Sequence, residues 1–527
     1  MIKAVELAEQ SKLELSTVFA YQYVISRKPR DLPGLDMMQL GRRRFIYAGP
    51  KLHRAELRDR NGEMFGFVLG IAVDPEGLIK GVRTLPTIDV NDPQVFDRFH
   101  DYINDVCGRY VFVVTAGIEE RVYTDPVAMI GCVVNCDAEL VGSSLNLVLD
   151  REVELNPLFD HDAVTNRGGK YTLFHTRDRH VRRLNGSFYL DLVNYTDYRF
   201  WPRIDHLEQP VDAYGDIYDD IIRHARHAIG EITAHFSTAM PLSGGSDSRL
   251  IAGLAGEHIK KVDQCFTHIT NYSTRYDNAV AKVIARHLGV DHETHAWRSP
   301  PPPPRSKFEK RQQTRIFQTA VGAPLAFPDE LAKNVQQLIG DDKVVLRGHL
   351  TDLLRAVYVL TSKRTRWKVL DWQMQRLFPV PVDEFNDEVF RTLRPDFMAW
   401  RRTLPPVAME SPLDFMFLEV YYNSTVGALF NGFHRHFYMS PFNSRRIIEL
   451  SLALNVDYRR TIAPVNDLLY RMDPDLCAIP YYKEAGPDLS VLEPGGDWSA
   501  FTQDRMETVR QRFENGYRPD AVPIAAQ

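Results

Sequence analysis

Ser243-Gly-Gly-Ser-Asp-Ser248 is the stretch of this chain whose residue types and spacing speak most directly of chemistry. It follows an apolar run, Ser237-Thr-Ala-Met-Pro-Leu242, that reads as a buried strand, and it precedes Leu250-Ile-Ala-Gly-Leu-Ala255, which reads as the first turns of a helix. A strand, a glycine hinge and a helix N-terminus form an anion site from backbone alone, because unpaired N–H groups converge there and the helix dipole adds positive potential. Gly244 and Gly245 let the main chain approach a phosphate closely, and the hydroxyls of Ser243, Ser246 and Ser248 can donate to its oxygens. Asp247 would repel phosphates unless it held a divalent cation that bridges them. The stretch therefore predicts a site for the pyrophosphate of a nucleotide, with magnesium. No Lys-Ser/Thr pair follows the glycines, so the motif is not a Walker loop.

The surrounding pattern tells which elements must position that loop. Over the first two hundred residues, short apolar runs dominate: Phe65 to Val73, Tyr110 to Val114, Gly131 to Val134 and Gly186 to Leu192, with one early helix expected at about Ala4 to Val24. Past the connector Glu208-Gln-Pro-Val211 the pattern changes to a helix (Ile217 to Ile232), the Ser237 strand, a strand (Val262 to Ile269), a helix (Asp277 to Leu288), and strands at Asp291 to Trp297 and Val344 to Arg347. Strand alternating with helix predicts a parallel, doubly wound sheet that binds ligands at the carboxyl ends of its strands. Pro300 to Pro304 reads as a stiff extended connector, and Glu384 to Phe513 as mainly helical.

Composition sets the outer bounds. At 527 residues the chain exceeds the size of one core, so two domains are expected, 1–205 and 212–527. A net charge of −5 without a basic block gives no reason to expect a nucleic-acid partner. The longest apolar run, Phe65 to Val73, is too short to span a bilayer, and the first residues lack the apolar core of a signal peptide. Cys107, Cys132, Cys136, Cys265 and Cys477 are scattered and odd in number, which fits a reduced, cytoplasmic setting better than a disulfide framework. Cys132 and Cys136 have no second pair with which to form a metal knuckle. His292 and His295 point to opposite faces of a strand and would not share an ion.

The Ser243 loop resembles the pyrophosphate loop of the ATP pyrophosphatases. Taken in order, the pieces from about Phe65 to about Pro487 resemble the asparagine synthetase class B family, to which beta-lactam synthetases and lasso-peptide cyclases are related. The resemblance implies an α/β synthetase domain of the adenine nucleotide alpha-hydrolase type behind an N-terminal α+β, glutaminase-like domain of the Ntn-hydrolase type. Val344-Val-Leu-Arg-Gly-His-Leu-Thr-Asp-Leu-Leu354 is similar to the family's strand ending in a Gly-x-Gly-x-Asp-Glu loop, which puts Asp352 in the role of second magnesium carboxylate beside Asp247. Tyr438 to Glu449 resembles the family's Pro-Phe-x-Asp/Asn helix start, and Ile479-Pro-Tyr-Tyr-Lys-Glu-Ala-Gly486 the segment that gives Lys483 the role of catalytic lysine.

The departures are equally specific. The family's glutaminase nucleophile is an N-terminal cysteine, whereas residue 2 here is Ile and the first cysteine is Cys107. Glutamine hydrolysis is not expected, and the first domain is read as a degenerate remnant. In the second loop Leu350 stands where the second glycine would be and Leu353 where the acid after Asp352 would be. His349, with an ordinary pKa near neutrality, is the candidate base for an attacking amine, and Glu419 a candidate to orient it. The expectation is an ATP- and magnesium-dependent, AMP- and pyrophosphate-forming amide ligase acting on a small-molecule or peptide carboxylate and an amine. Aspartate with ammonia is one substrate pair, and an intramolecular ligation in natural-product biosynthesis is the alternative. A non-catalytic nucleotide-binding descendant is a further reading, and a homodimer is left open.

Overall fold

The structure, a computed structural model, describes residues 1–166, 170–269, 271, 273–296, 307–325, 338–357, 387–485 and 489–517. The expected connector Pro300 to Pro304 lies outside the described residues.

The first two hundred residues form two largely antiparallel sheets. In the larger, the long strands Met64–Asp74 and Cys107–Ala116 pair from Gly66↔Val114 to Val73↔Cys107. Every residue from Cys107 to Val114 is buried, so both faces of this strand are covered and no polar alternation appears in its sequence. The smaller sheet has Tyr23–Ser26 near its middle, paired with Leu140–Gly142 and Arg44–Ala48. The early helix is shorter than its apolar pattern suggests. It runs Lys3–Gln10 and stops because Lys12 turns left-handed (φ +53°). Leu13 N–H then donates to the Ala8 carbonyl and Lys12 N–H to that of Glu9, the paired bonds of a Schellman ending. A second short helix, Leu15–Val18, leads straight into the Tyr23–Ser26 strand.

The second half opens with the helix Tyr214–His235, which buries Ile217, Ile221, Ala225, Ala228, Ile229 and Ile232 at helical spacing. Behind it lies a parallel sheet, as the alternating pattern implied. Among the described residues its order is His292–Ala296, Gln264–Ile269, Thr238–Pro241, Val344–Leu346, Phe437–Met439. Numbered along the chain, that order is 3-2-1-4-5. The direction of winding reverses between Thr238–Pro241 and Val344–Leu346, and a cleft lies at their carboxyl ends. The strand Phe437–Met439 stands inside a region whose sequence reads as helical; it is only three residues long and is held by pairing to Val344–Leu346.

One apolar cluster is continuous through both sheet systems, joining Tyr110, Phe112 and Tyr123 to Tyr218, Met240 and Tyr438. The junction is also polar. Arg445, fully buried, donates to the carbonyls of Thr124 (2.9 Å) and Gly186 (2.7 Å). Arg109 reaches the Tyr438 carbonyl (3.2 Å) and Asn431 Oδ1 (2.8 Å) in the opposite direction. No helix among the described residues is long and apolar enough to cross a membrane.

Candidate active site

The loop leaving Thr238–Pro241 is tied to itself. Ser248 Oγ accepts from Ser243 N–H (2.9 Å) and lies 2.8 Å from Ser243 Oγ, closing the turn before the helix Ser246–Ala255 begins. Gly245 N–H donates to Ser243 Oγ (3.3 Å) and Gly244 N–H to Asp277 Oδ1 (3.1 Å). All three N–H groups are thus engaged within the protein, two by serine hydroxyls and one by a carboxylate. Burial pushes the Asp277 carboxyl above its ordinary value. A Cβ at Gly244 would stand 3.0 Å from Tyr482 Cβ, so glycine is what allows the 479–485 segment to cross so closely.

The loop leaving Val344–Leu346 meets the first one edge to edge. At Gly348 a Cβ would lie 2.8 Å from Asp247 Cβ and 2.9 Å from its backbone, and any side chain there would drive the two loops apart. Leu350, at the position the resemblance gives to glycine, is left-handed (φ +73°) and wholly buried. A leucine must bear strain of roughly 1–2 kcal/mol to adopt this backbone. A single 3-10 turn, Thr351–Arg355, follows and carries Asp352.

Asp247 and Asp352 are brought together and share one cation that belongs to the protein. Arg355 Nη2 donates to both oxygens of Asp247 (2.8 and 3.0 Å) and to Asp352 Oδ1 (2.5 Å). The Thr351 hydroxyl lies 2.7 Å from the Gly348 carbonyl and 3.0 Å from Asp247 Oδ1, with one proton for the two, and Tyr422 O–H donates to Asp352 Oδ2 (3.1 Å). The Tyr422 hydroxyl in turn accepts from Leu350 N–H (2.8 Å), pinning the strained residue. Burial, and next the charge of Asp247, raise the Asp352 carboxyl to about 6 against the opposing pull of Arg355. Among the described residues no group of three or more His, Cys, Asp or Glu could hold an ion unaided. Two carboxylates fit magnesium as it occurs at nucleotide sites, where phosphate and water supply the remaining oxygens.

These loops border a cleft of about 500 Å³ at the point where the sheet reverses, lined among others by Ser243, Asp247, Thr267, Asp277, His349 and Asp352. His349 is there, but not as a group that titrates near neutrality. One edge of its ring faces the cleft, while burial and the nearby Arg347 charge push its pKa down to about 3. Phe430 packs edge-on against it at 5.3 Å, and its Nδ1 is buried without a hydrogen bond among the described residues. Glu419 does not orient it. That carboxylate accepts instead from Asn185 (2.7 Å), Ser187 (2.7 Å), Arg199 (2.7 and 2.8 Å) and Trp400 (2.8 Å), joining the two halves of the chain. Glu419 lies in a π-helical segment, Met416–Tyr421. The wider turn gives Glu419 and Tyr422 separate partners, where α-helical spacing would put them on one face.

Lys483 is exposed, on the turn next to Tyr482, whose N–H donates to the Gly244 carbonyl (3.3 Å). The segment is anchored by Arg249, fully buried, which donates to the carbonyls of Ile479 and Pro480 and stacks on Tyr481 at 4.4 Å. The strand Phe437–Met439 ends in Ser440, whose hydroxyl donates to the His349 carbonyl (2.7 Å), so the Tyr438 to Glu449 element buttresses the second loop from behind. Sequence reasoning missed Arg355, Tyr422, Asp277 and Arg249. Arg249 follows Ser248 directly, and a buried arginine one residue past an anion loop was a signal that could have been followed.

The model of the asparagine synthase family matches residues 231–414, a span that contains both loops and both aspartates but not Lys483. No curated protein matches the chain.

Proposed function

Residues 231–414 belong to the asparagine synthase family, whose function is of the ATP-dependent amide-ligase type, and from that premise we propose that this chain adenylates a carboxylate and passes the acyl group to ammonia or an amine. A carboxylate oxygen of the substrate attacks the α-phosphorus of ATP and expels pyrophosphate. The amine then adds to the acyl carbon and expels AMP. The observation that carries this reading is the meeting of Asp247 and Asp352 from two loops at the sheet's reversal point, beside the glycine loop. Asp247 and Asp352 would hold magnesium, which when bound neutralises charge on the leaving pyrophosphate. Ser243 through Ser248 would cradle that group. Lys483, on a segment fixed against Gly244, would face the charge that develops at the reacting centre.

The proposal includes no glutamine hydrolysis. Burial pushes the thiols of Cys107, Cys132 and Cys265 up to about 12 and that of Cys477 to about 11, the opposite of an activated nucleophile. Cys136, the exposed one, sits on the four-residue turn between Val133–Asn135 and Leu140–Gly142. On this reading the first two hundred residues are a glutaminase-like scaffold without that activity. A second reading, a nucleotide-binding protein without turnover, draws on the ion pairing of Arg355 with both aspartates.

The deciding experiment is pyrophosphate release from Mg-ATP by wild type and Asp247→Ala. It would be supplied with aspartate and ammonium, aspartate and glutamine, or metabolite extract. Release with aspartate and ammonium, or with extract, that disappears in D247A supports the ligase and indicates its substrate class. No release in any mixture, together with a melting temperature that rises with Mg-ATP, supports the second reading.

A further inference from the structure

The pairing of Arg355 with both aspartates extends the proposed function to a question of selectivity, and it rests on that reading in one respect: the assignment of Asp247 and Asp352 to a divalent cation. We propose that Arg355 is an internal competitor for that cation, so that the site rejects the bare ion and accepts it when it arrives on a nucleotide.

Arg355 occupies the place between the two carboxylates that a bridging cation would need. A single nitrogen, Nη2, touches both carboxylates, as a bridging metal would, and draws on the same lone pairs. Arg355 is also held loosely. Its Nε is buried without a hydrogen bond among the described residues, and its side chain keeps 23% of its surface exposed. The contrast is Arg459, one of the best-anchored arginines in the same half. Arg459 forks onto Asp414 with both Nη atoms, gives Nε to the Leu454 carbonyl and Nη1 also to that of Leu353, and is only 2% exposed. Arg459 is locked, whereas Arg355 holds its partners through one nitrogen on a partly exposed side chain and can turn away.

The carboxylates are prepared for its departure. Tyr422 O–H is a neutral donor that keeps Asp352 oriented once the guanidinium leaves, and the Thr351 hydroxyl, between the Gly348 carbonyl (2.7 Å) and Asp247 (3.0 Å), can turn its one proton to Asp247. A bare cation must displace Arg355 into solvent. A cation carried by a triphosphate brings oxygens to which the displaced guanidinium can transfer its hydrogen bonds, because a planar guanidinium suits phosphate as well as carboxylate. Selectivity for the metal–nucleotide complex follows from exchange of one set of anionic oxygens for another.

The test is titration of the full chain with Mn2+ alone, followed by electron paramagnetic resonance of the free ion, in wild type, Arg355→Gln and Arg355→Lys. Competition requires R355Q to bind Mn2+ at least about tenfold more tightly than wild type, the factor of one charge-assisted hydrogen bond. R355K should lie between the two, and the gap should narrow when a non-hydrolysable ATP analogue accompanies the ion. Equal or weaker binding by R355Q that keeps the wild-type melting transition overturns the proposal. Where R355Q loses that transition, R355K decides: an affinity no higher than wild type overturns it. Mn2+ bound by no variant, alongside magnesium-dependent pyrophosphate release by wild type, also overturns the competition while the proposed function stands. The failure of that function shows separately, as absent release.

Discussion

Asp352→Asn should stabilise the protein at the expense of its activity, and the size of the gain can be worked from the site. The Asp352 carboxyl titrates at about 6 in the fold against an ordinary 3.8, because it is buried beside Asp247. That rise corresponds to about 3 kcal/mol of folding free energy, at 1.36 kcal/mol per tenfold change in acidity. The sign is unfavourable: above pH 6 both states are ionised and the folded state bears the full cost. Between pH 6 and 3.8 the folded state takes up a proton that the unfolded state lacks, and the cost fades. Below 3.8 it is gone. Asparagine has the same shape and no charge, and Arg355 keeps Asp247 as its partner. Because that rise is already net of the opposing pull of Arg355, D352N should be more stable than wild type by about 3 kcal/mol at pH 8. The difference should shrink as pH falls through 6 and vanish near 3.8. Urea unfolding at several pH values measures this, with and without Mg-ATP, which should raise the midpoint of wild type only. A variant less stable than wild type at pH 8, or a difference that does not move with pH, refutes the reasoning.

Further expectations concern other residues. Lys483→Ala should lower amide formation by about a hundredfold or more, the effect of removing one preorganised donor, while the melting temperature stays at the wild-type value because the side chain is exposed. Since His349 is neutral down to about pH 3, His349→Gln should keep the wild-type pH–rate profile between pH 5 and 8. A wild-type inflection near neutrality that disappears in H349Q would restore the histidine as a base. Glu419→Gln leaves the Arg199 guanidinium, 13% exposed, facing a neutral amide, and should cost about 3–5 kcal/mol in urea unfolding. A loss under 1 kcal/mol would show that this junction is less important than its hydrogen bonds suggest.

What the sequence disclosed and what it hid divide along a physical line. The glycine loop, the helix after it and four of the five parallel strands were legible because each depends on neighbours in the chain: an apolar run of the right length, a hinge, a helix start. Phe437–Met439 was not, since a three-residue strand carries no period and exists only by pairing with Val344–Leu346. The early helix was overextended because nothing in Ser11-Lys12 announces a left-handed lysine. His349 was given a solution pKa, and its packing against Phe430 and burial beside Arg347 are long-range facts. Arg355 lay three residues from Asp352 in plain view. Its significance came only from Asp247, more than a hundred positions earlier.

The buried arginines between the two sheet systems bear on how such a chain can evolve. Arg445 donates to the carbonyls of Thr124 and Gly186, and Arg109 to groups at Tyr438 and Asn431. Removing the residues before about 205 would take away the partners of Arg445 and uncover the apolar cluster that the two sheet systems share. Erosion of any chemistry in the first half would relax selection on reacting groups but not on the main-chain carbonyls that these arginines grip. Such a half can lose its occupation and still be kept, since its loss would leave the apolar surface of its neighbour uncovered.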